Sequence, residues 1–214
     1  MQLSALKVLE LNEFLLSQGK KPLVEGLCDR ELENPEGVEL ELRVGQVWRL
    51  KKDWKVSTNS GKTIFETKCG FLGVEKRDTP EGIEIGNVKT EGNKKILMYP
   101  GEYFRVRTME TINCLNEKIS IEEGRTARYL IPQIHPRRTL FECGIGLFNS
   151  TTNPGYNGQL TFGMANSGDL PFAFELGARM FKIGFEEVCG EMKRGYEGQW
   201  QGGKRNYAVD EKQI

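Results

Sequence analysis

The sequence predicts a mainly β domain, a distorted β-barrel or jelly roll with an N-terminal helix and a mobile C-terminal arm. Three observations indicate this class. Short segments with strand-like alternation recur along the chain, glycine and proline turns separate them, and one clear helical pattern stands at the start. At 214 residues, a single domain with one core of ordinary size is expected.

The N-terminal segment predicts one amphipathic helix that runs to about residue 17. Ser4 is a suitable N-cap residue, and Gly19 is expected to end the helix. The apolar residues at helical spacing, or widening that stripe, are Val8, Leu9, Leu11, Leu15 and Leu16. This face is expected to pack on the β domain.

Alternation of apolar and polar residues marks the strands. The clearest case is 38–44, and Gly45 is expected to break it before a second short strand at 47–50. The other strand candidates are 63–66, 96–99, 102–108, 144–148, 159–165, 172–175 and 179–185.

Composition divides the chain into a body and an arm. Residues 1–189 are predicted to form the β domain, with 51–95 as a polar insert or excursion whose last part, 78–95, is an exposed hairpin or excursion. Residues 190–214 are polar, carry five glycines by Gly203, and are predicted to be a flexible C-terminal arm.

Charge and cysteine content limit the partners. Thirty basic and thirty acidic residues cancel, so no nucleic-acid partner is expected. No apolar run is long enough to span a bilayer and the start lacks a signal-peptide pattern, so a cytoplasmic protein without a membrane partner is expected. Five scattered cysteines without a C-x-x-C pair predict reduced, mostly buried thiols.

Zinc chemistry is not expected. The zinc deaminases need His and Cys ligands at H-x-E and P-C-x-x-C spacing. This chain has one histidine, His135, and no partner for it at such spacing. We expect no metal held by the protein, and a structural or hydrogen-bonding role for His135.

Motifs in the third quarter carry the most information. They read PRRTL at 136–140, NPGYNGQLT at 153–161 and ANSGDLP at 165–171, after PEGVEL at 35–40 and PGEY at 100–103 and before GYEGQ at 195–199. In this order and spacing they resemble the dCTP deaminase and trimeric dUTPase superfamily, closest to dCTP deaminase-like proteins. The resemblance spans nearly the whole chain and implies the dUTPase-like barrel.

The resemblance also implies a homotrimer with nucleotide sites at subunit interfaces, and Mg²⁺ carried in on the nucleotide phosphates. Arg137 would lie near the phosphates, and the segment from Tyr156 to Gln159 along the sugar and base. The implied nucleotide-binding residues are Arg137, Arg138, Thr139, Asn153, Tyr156, Gly158, Gln159, Tyr196 and Gln199. A guanidinium suits phosphate oxygens, and glycine lets backbone amides approach a ligand closely.

Each of these residues also has a structural interpretation. Arg137 and Arg138 could lie in a solvated loop, and the tripeptide at 153–155 is an ordinary turn sequence. Tyr156 could belong to the core, and the aromatic and amide residues at 195–199 to a disordered tail.

The catalytic carboxylates of the superfamily are replaced in this chain. The glutamate that serves dCTP deaminases as general base falls on Gly163, and the aspartate that serves dUTPases falls on Asn153. An early-strand aspartate becomes Glu39, and an arginine of the phosphate loop becomes Glu142. Both reactions are therefore disfavoured, since glycine and an amide cannot accept a proton.

Three functions remain open from the sequence. The first is a nucleotide-binding protein without standard catalysis, which sequesters a nucleotide or nucleotide-derived signal, as a viral sponge would, or regulates a partner. The second is a divergent active dCTP deaminase or dUTP pyrophosphatase with Glu142 or another carboxylate as the base. The third is a purely structural or interaction role with a closed pocket.

Overall fold

The computed structural model describes residues 1–50, 54–59, 62–67, 71–72, 76–198, 200–203 and 211–212. Within 54–78 and at 211–212 only the backbone strands are described. The predicted site residue Gln199 lies outside the described residues.

The fold is mainly β with an N-terminal helix, as the sequence predicts. The helices are α1 (Ala5–Ser17), α2 (Asp29–Glu33), α3 (Val88–Glu91) and α4 (Arg138–Glu142). The strands are β1 (Val24–Glu25), β2 (Leu40–Leu50), β3 (Trp54–Asn59), β4 (Lys62–Thr67), β5 (Phe71–Leu72), β6 (Lys76–Asp78), β7 (Gly82–Asn87), β8 (Lys95–Met98), β9 (Tyr103–Asn113), β10 (Tyr129–Pro136), β11 (Ile145–Phe148), β12 (Asn157–Asn166), β13 (Phe172–Glu175), β14 (Arg179–Val188) and β15 (Glu211–Lys212). A single 3₁₀ turn, Gln201–Gly203, is described in the arm.

One eight-stranded antiparallel sheet forms the body, in the order β10-β14-β2-β9-β12-β11, with β1 added on β9 and β7 on β2. The sheet curls until its two outer strands approach each other, where Asn149 Nδ2, just after β11, donates to the carbonyl of Ile134 in β10 at 3.4 Å. This near closure gives the barrel-like shape. Smaller sheets join β8 with β13, β3 with β4, and β5, β6 and β15.

Helix α1 packs its apolar face into the core of the β domain. Ser4 Oγ accepts a hydrogen bond from the amide of Lys7 at 3.1 Å, which confirms the predicted N-cap. Val8, Leu11 and Leu15 are buried, but Leu16 is 58% exposed and does not widen the apolar stripe. One residue along a helix rotates the side chain by about 100°, which carries Leu16 off the packed face.

Strand β2 differs from its prediction at Gly45. The glycine does not end the strand, because β2 continues to residue 50 with a register shift between Val44 and Gln46 against β9. A Cβ at Gly45 would lie 3.2 Å from the carbonyl oxygen of Thr108. Gly45 is therefore a bulge position where two strands approach closely.

Several strands escaped sequence prediction, and β10 and β7 are the longest of them in the main sheet. β10 was hidden by Pro132 and Pro136, which an outer strand tolerates because it needs fewer ladder hydrogen bonds. β7 pairs with β2 in the main sheet, so 82–87 is not part of a separate hairpin or excursion. Glycines at 82 and 86 leave Ile83 and Ile85 as the apolar residues of this strand, which is too short an alternation to identify it.

The cysteines and the histidine are placed as follows. Among the described residues Cys114 is buried and Cys28 half-buried, but Cys143 and Cys189 are exposed, so the thiols are not mostly buried as predicted. Burial raises the pKa of Cys114 to about 12. His135 Nδ1 contacts the carboxylate of Glu39, which is a hydrogen-bonding role. In the described part of the chain, no helix is both long and apolar enough to cross a membrane.

A buried amide fastens α1 to the barrel. Asn12 Oδ1 accepts from the amide of Leu23 at 2.7 Å, and Asn12 Nδ2 donates to the carbonyl of Val24 at 3.1 Å. Because Val24 pairs with Ile112 of β9, this contact ties the helix to the main sheet.

We expect Asn12→Ala to lower the free energy of unfolding by about 1–3 kcal/mol, because two buried backbone groups lose their partner. Glu13→Ala, on the exposed side of the same helix, is the matched control and is expected to stay within about 0.5 kcal/mol of the parent. Chemical denaturation of both variants measures this. Equal stability of the two would contradict the role given to Asn12.

Candidate functional site

A pocket lies on the outer face of strands β9 and β12. Alternation along β9 turns Phe104 and Val106 into the core and leaves Tyr103 and Arg105 on the outside. The cavity measures about 440 Å³. The described lining residues are Tyr103, Arg105, Phe148, Asn149, Ser150, Thr151, Thr152, Asn153, Tyr156, Leu160, Thr161, Phe162, Gly163, Tyr196, Trp200 and Gly203.

One wall is a loop of uncharged polar residues, 149–153, here called the polar loop. It starts where β11 ends at Phe148, which pairs with Gly163 of β12. It then turns back at Gly155, whose φ of +98° is readily adopted only by glycine. The polar loop thus brings five amide and hydroxyl side chains to the mouth of the pocket.

The second wall is the described part of the C-terminal arm. The amide of Tyr196 donates to the carbonyl of Pro154 at 2.6 Å. The side chain of Gln201 accepts from the amide of Asn157 at 2.8 Å and donates to the carbonyl of Gly155 at 2.7 Å. These three hydrogen bonds fix the arm across the start of β12.

The glycines of the NPGYNGQLT motif make room for this arm. A Cβ at Gly155 would lie 2.7 Å from the amide nitrogen of Tyr196, and a Cβ at Gly158 would lie 2.5 Å from that of Gly203. Arg107 also donates to the carbonyl of Gly203. The backbone at Gly155 and Gly158, which the sequence predicts to lie close to a ligand, is therefore contacted by the chain's own arm.

Aromatic rings line the pocket beside the arm. The rings of Tyr156 and Tyr196 meet edge to face with centroids 5.8 Å apart, and the Tyr196 hydroxyl accepts from the amide of Trp200 at 3.1 Å. The Tyr156 hydroxyl donates to the carbonyl of Gln159 at 2.7 Å. Burial raises the pKa of Tyr156 to about 12, so its phenol stays neutral near pH 7.

Gly163 is closed off by Tyr103. A Cβ at Gly163 would collide with the Tyr103 hydroxyl and lie 2.7 Å from the ring carbon that bears it. Gly163 pairs across the ladder with Arg105, and Tyr103 lies two residues before Arg105 on the same face. The space in which a longer side chain at 163 would start is thus filled by a phenol.

The described lining of the pocket has few charged groups. Arg105 is the one charged side chain among the described lining residues, and none of them is Asp or Glu. Across the described part of the chain, no group of three or more His, Cys, Asp or Glu side chains is placed to hold a metal ion. Mg²⁺ prefers carboxylate and phosphate oxygens, so the described lining does not fit a magnesium ion held by the protein.

The structure divides the predicted site residues into two places. Asn153, Tyr156 and Tyr196 line the pocket. Gly158 and Gln159 lie beside it, in contact with Gly203 of the arm.

The remaining predicted residues lie at helix α4, away from the lining of the pocket. These residues are Arg137, Arg138, Thr139 and Glu142. Arg138 Nε is 2.9 Å from the Glu142 carboxylate, one turn further along the helix, and both side chains are largely exposed.

Arg137 belongs to a cluster of arginines over buried carboxylates. Its Nε is 3.0 Å from Glu41, which is nearly buried, and Arg179 contacts the same carboxylate at 2.7 Å. Arg30 contacts Glu31, which is fully buried, at 2.5 Å. Glu41 rather than Glu39 is thus the early-strand carboxylate that faces the arginine of the PRRTL motif.

Sequence reasoning missed Tyr103, Arg105 and Trp200 as pocket residues. The signal for the first two was present, since they alternate with core residues along β9. This alternation does not identify them as pocket residues, because the sequence does not show that the polar loop and the arm cover the outer face of β9. For Trp200 the sequence held no comparable signal.

Comparisons with known proteins agree with this architecture. A model of the dCTP deaminase-like family matches residues 40–188. The dCTP deaminase of Halorubrum lacusprofundi is 26% identical over 136 residues, which are 59% of this chain and 62% of that protein. The dCTP deaminase of Pyrococcus furiosus is 25% identical over 160 residues, or 74% of this chain and 91% of that protein. The chain therefore spans less than two thirds of the first relative.

A solved structure shares the fold. It is the crystal structure of 2′-deoxycytidine 5′-triphosphate deaminase from Agrobacterium tumefaciens, with a TM-score of 0.50 and 12% identity. The match covers 86% of this chain and 47% of the solved chain. At this identity the likeness concerns the fold alone.

We expect Gly163→Ala to lower the free energy of unfolding by about 1–3 kcal/mol, because the new methyl group overlaps the Tyr103 ring. In the Tyr103→Ala background the same change is expected to cost much less. Gly146→Ala in β11, where a Cβ meets no atom closer than 3.6 Å, is the matched control. A double-mutant cycle by chemical denaturation measures the coupling, and additive effects would contradict the contact.

Proposed function

This chain belongs to the dCTP deaminase-like family, and we propose that it binds a nucleotide in the pocket on β9 and β12 without the standard deamination. The bound molecule would be sequestered, or its binding would regulate a partner. The relatives named above carry the name dCTP deaminase, and the proposal departs from that activity for a structural reason.

The observation that carries this proposal is the Tyr103–Gly163 contact. Deamination requires a group that activates water and transfers protons, and losing a general base typically costs about 10²–10⁴-fold in rate. Position 163 has no side chain, its space is filled by Tyr103, and no carboxylate is found among the described lining residues. The pocket offers contacts for binding and lacks this kind of base.

The pocket wall suits a nucleotide. The rings of Tyr156, Tyr196 and Trp200 supply apolar area against which a heterocycle can stack, and the polar loop supplies donors and acceptors for its edges. Arg105 adds one positive charge to the described lining. A cavity with mainly aromatic walls and a few convergent polar groups is typical of small-molecule sites.

A divergent active enzyme is the second candidate, a dCTP deaminase or dUTP pyrophosphatase. Family membership favours it. Its base would be Glu142 or another carboxylate, with Mg²⁺ arriving on the nucleotide phosphates. The side chain of Glu142 is paired with Arg138 on α4 and is not among the lining residues, so α4 would have to move, or a second subunit would have to supply the group.

One experiment distinguishes chemical conversion of a nucleotide from binding without conversion. The protein is incubated with Mg²⁺ and a panel of linear and cyclic nucleotides, and the ultrafiltrate and the heat-released fraction are chromatographed. We expect one nucleotide to be depleted from the filtrate and released unchanged by heat. Tyr196→Ala should weaken this retention, whereas Tyr99→Ala, an exposed tyrosine outside the described lining, should not.

The second candidate predicts a different result in the same experiment. Formation of dUTP, dUMP or pyrophosphate, lost in Glu142→Gln, would replace the binding proposal by an enzymatic one. If no nucleotide is retained and none is converted, the pocket does not serve nucleotides and the interaction role gains support.

A homotrimer also remains a proposal, supported by the family resemblance. Light scattering on the purified protein is expected to give a mass three times that of the 24.3 kDa chain. A monomer or a dimer at micromolar concentration would contradict it.

A further inference from the structure

We infer that the pocket binds a dinucleotide, a molecule in which two nucleosides are joined through phosphate, with one heterocycle at each end of the pocket. This inference rests on the nucleotide-binding function proposed above and specifies the class of ligand. The observations that carry it are the positions of two aromatic pairs and of the polar loop along strand β12.

The first aromatic pair, Tyr103 and Phe148, lies at one end of the pocket. Phe148, the last residue of β11, pairs across the ladder with Gly163, and the Tyr103 hydroxyl lies against the same glycine. The two ring centroids are 6.1 Å apart, at an interplanar angle of 46°. Both residues line the pocket, and Tyr103 is 38% and Phe148 56% exposed. This end of the pocket therefore presents aromatic surface that is open to a ligand.

The second aromatic pair, Tyr156 and Tyr196, lies at the other end. Tyr156 comes directly before β12, Tyr196 belongs to the arm, and both line the pocket. The Tyr156 hydroxyl reaches along the strand to the carbonyl of Gln159. From Gln159 to Gly163, at about 3.3 Å per residue, β12 extends over roughly 13 Å between the two pairs. The residues of this stretch that line the pocket are Leu160, Thr161 and Phe162.

The polar loop connects the two ends along one side of the pocket. It begins after Phe148, opposite Gly163, and its last residue, Asn153, lies three residues before Tyr156. It therefore runs beside β12 from the first aromatic pair to the second. Its hydroxyl and amide side chains line the pocket between the pairs. In a dinucleotide the sugars and the linking phosphate would lie there, and hydroxyl and amide groups can donate hydrogen bonds to their oxygens.

A single nucleotide uses this arrangement less well. It has one heterocycle, so it can stack on one aromatic pair only. If that heterocycle lay on Tyr156 and Tyr196, a polyphosphate chain would extend toward Tyr103 and Phe148, where its charged oxygens would lose water and meet the negative face of a ring. A second heterocycle in the same place would gain stacking instead, which typically provides about tenfold or more in affinity.

Isothermal titration calorimetry on the full chain tests the inference. The probes are 3′,5′-linked dinucleoside monophosphates, cyclic dinucleotides and dinucleosides joined by a polyphosphate chain. Each is compared with the matching nucleoside monophosphate and triphosphate, for cytosine, uracil, adenine and guanine. Within the series that binds best, we expect one class of dinucleotide to bind about tenfold or more tightly than its mononucleotides. The three classes of probe decide which linkage is preferred.

Variants of Phe148 locate the second heterocycle. Phe148→Ala is expected to lower the affinity for the dinucleotide about tenfold and to leave that for the mononucleotide little changed, because the mononucleotide stacks at the end that the arm closes. Phe148→Trp keeps a stacking surface and should retain most of the affinity. Phe141→Ala, which removes an exposed phenylalanine of α4 outside the described lining, is the matched control, and melting temperatures verify folding.

Other outcomes would overturn the inference in distinguishable ways. Equal affinity for dinucleotide and mononucleotide, or a triphosphate that binds more tightly than every dinucleotide, would overturn it and leave the nucleotide function standing. So would a Phe148→Ala variant whose affinity for the dinucleotide is unchanged, or falls equally for both ligands. Failure of every compound to bind would overturn the nucleotide function as well.

Discussion

The antiparallel pairing of β9 with β2 on one side and β12 on the other determines both the core and the pocket. One face of β9 carries Phe104 and Val106, both fully buried, and the opposite face carries Tyr103 and Arg105. Because side chains alternate along a strand, a slip of one residue would exchange the two faces. The register that builds the barrel core therefore also presents the pocket residues.

The arm is the second constraint, because its described residues Tyr196, Gln201 and Gly203 lie against the start of β12 and close one side of the pocket. Three features hold it there. Glycines at 155 and 158 allow backbone contact, Gln201 bonds to both sides of the turn, and Arg107 donates to the carbonyl of Gly203. In this conformation the backbone around Gly155 and Gly158 contacts the chain's own arm, and the pocket is lined mainly by side chains.

Much of the fold could be predicted from local patterns. The cap at Ser4 located α1, and alternation located β9, β12 and β14 to within a few residues. Local patterns do not show which strands pair with each other. Gly45 has the sequence signal of a break, yet it allows two strands to approach closely, which is visible only once the neighbouring strand is known. Likewise β7 offers an alternation of two isoleucines between glycines, and its place in the main sheet is visible only from its pairing with β2.

The site could be predicted only in part, because the sequence does not show which distant residues meet in the fold. Asn153, Tyr156 and Tyr196 were identified through motif resemblance, and all three line the pocket. Arg137 was expected beside phosphates, but it contacts a buried carboxylate on a distant strand, Glu41, which carried no signal in its own segment. Tyr103 could not be recognised as the group that fills the space at position 163, because that contact joins residues sixty positions apart in the chain.

A crystal structure of the protein with a bound nucleotide tests the central claim most directly. The account predicts a heterocycle against the rings of Tyr156, Tyr196 or Trp200, in the pocket on β9 and β12, with the Tyr103 hydroxyl still beside Gly163. A nucleotide whose phosphate lies on Arg137 and Thr139, with the pocket on β9 and β12 left to solvent, would contradict it.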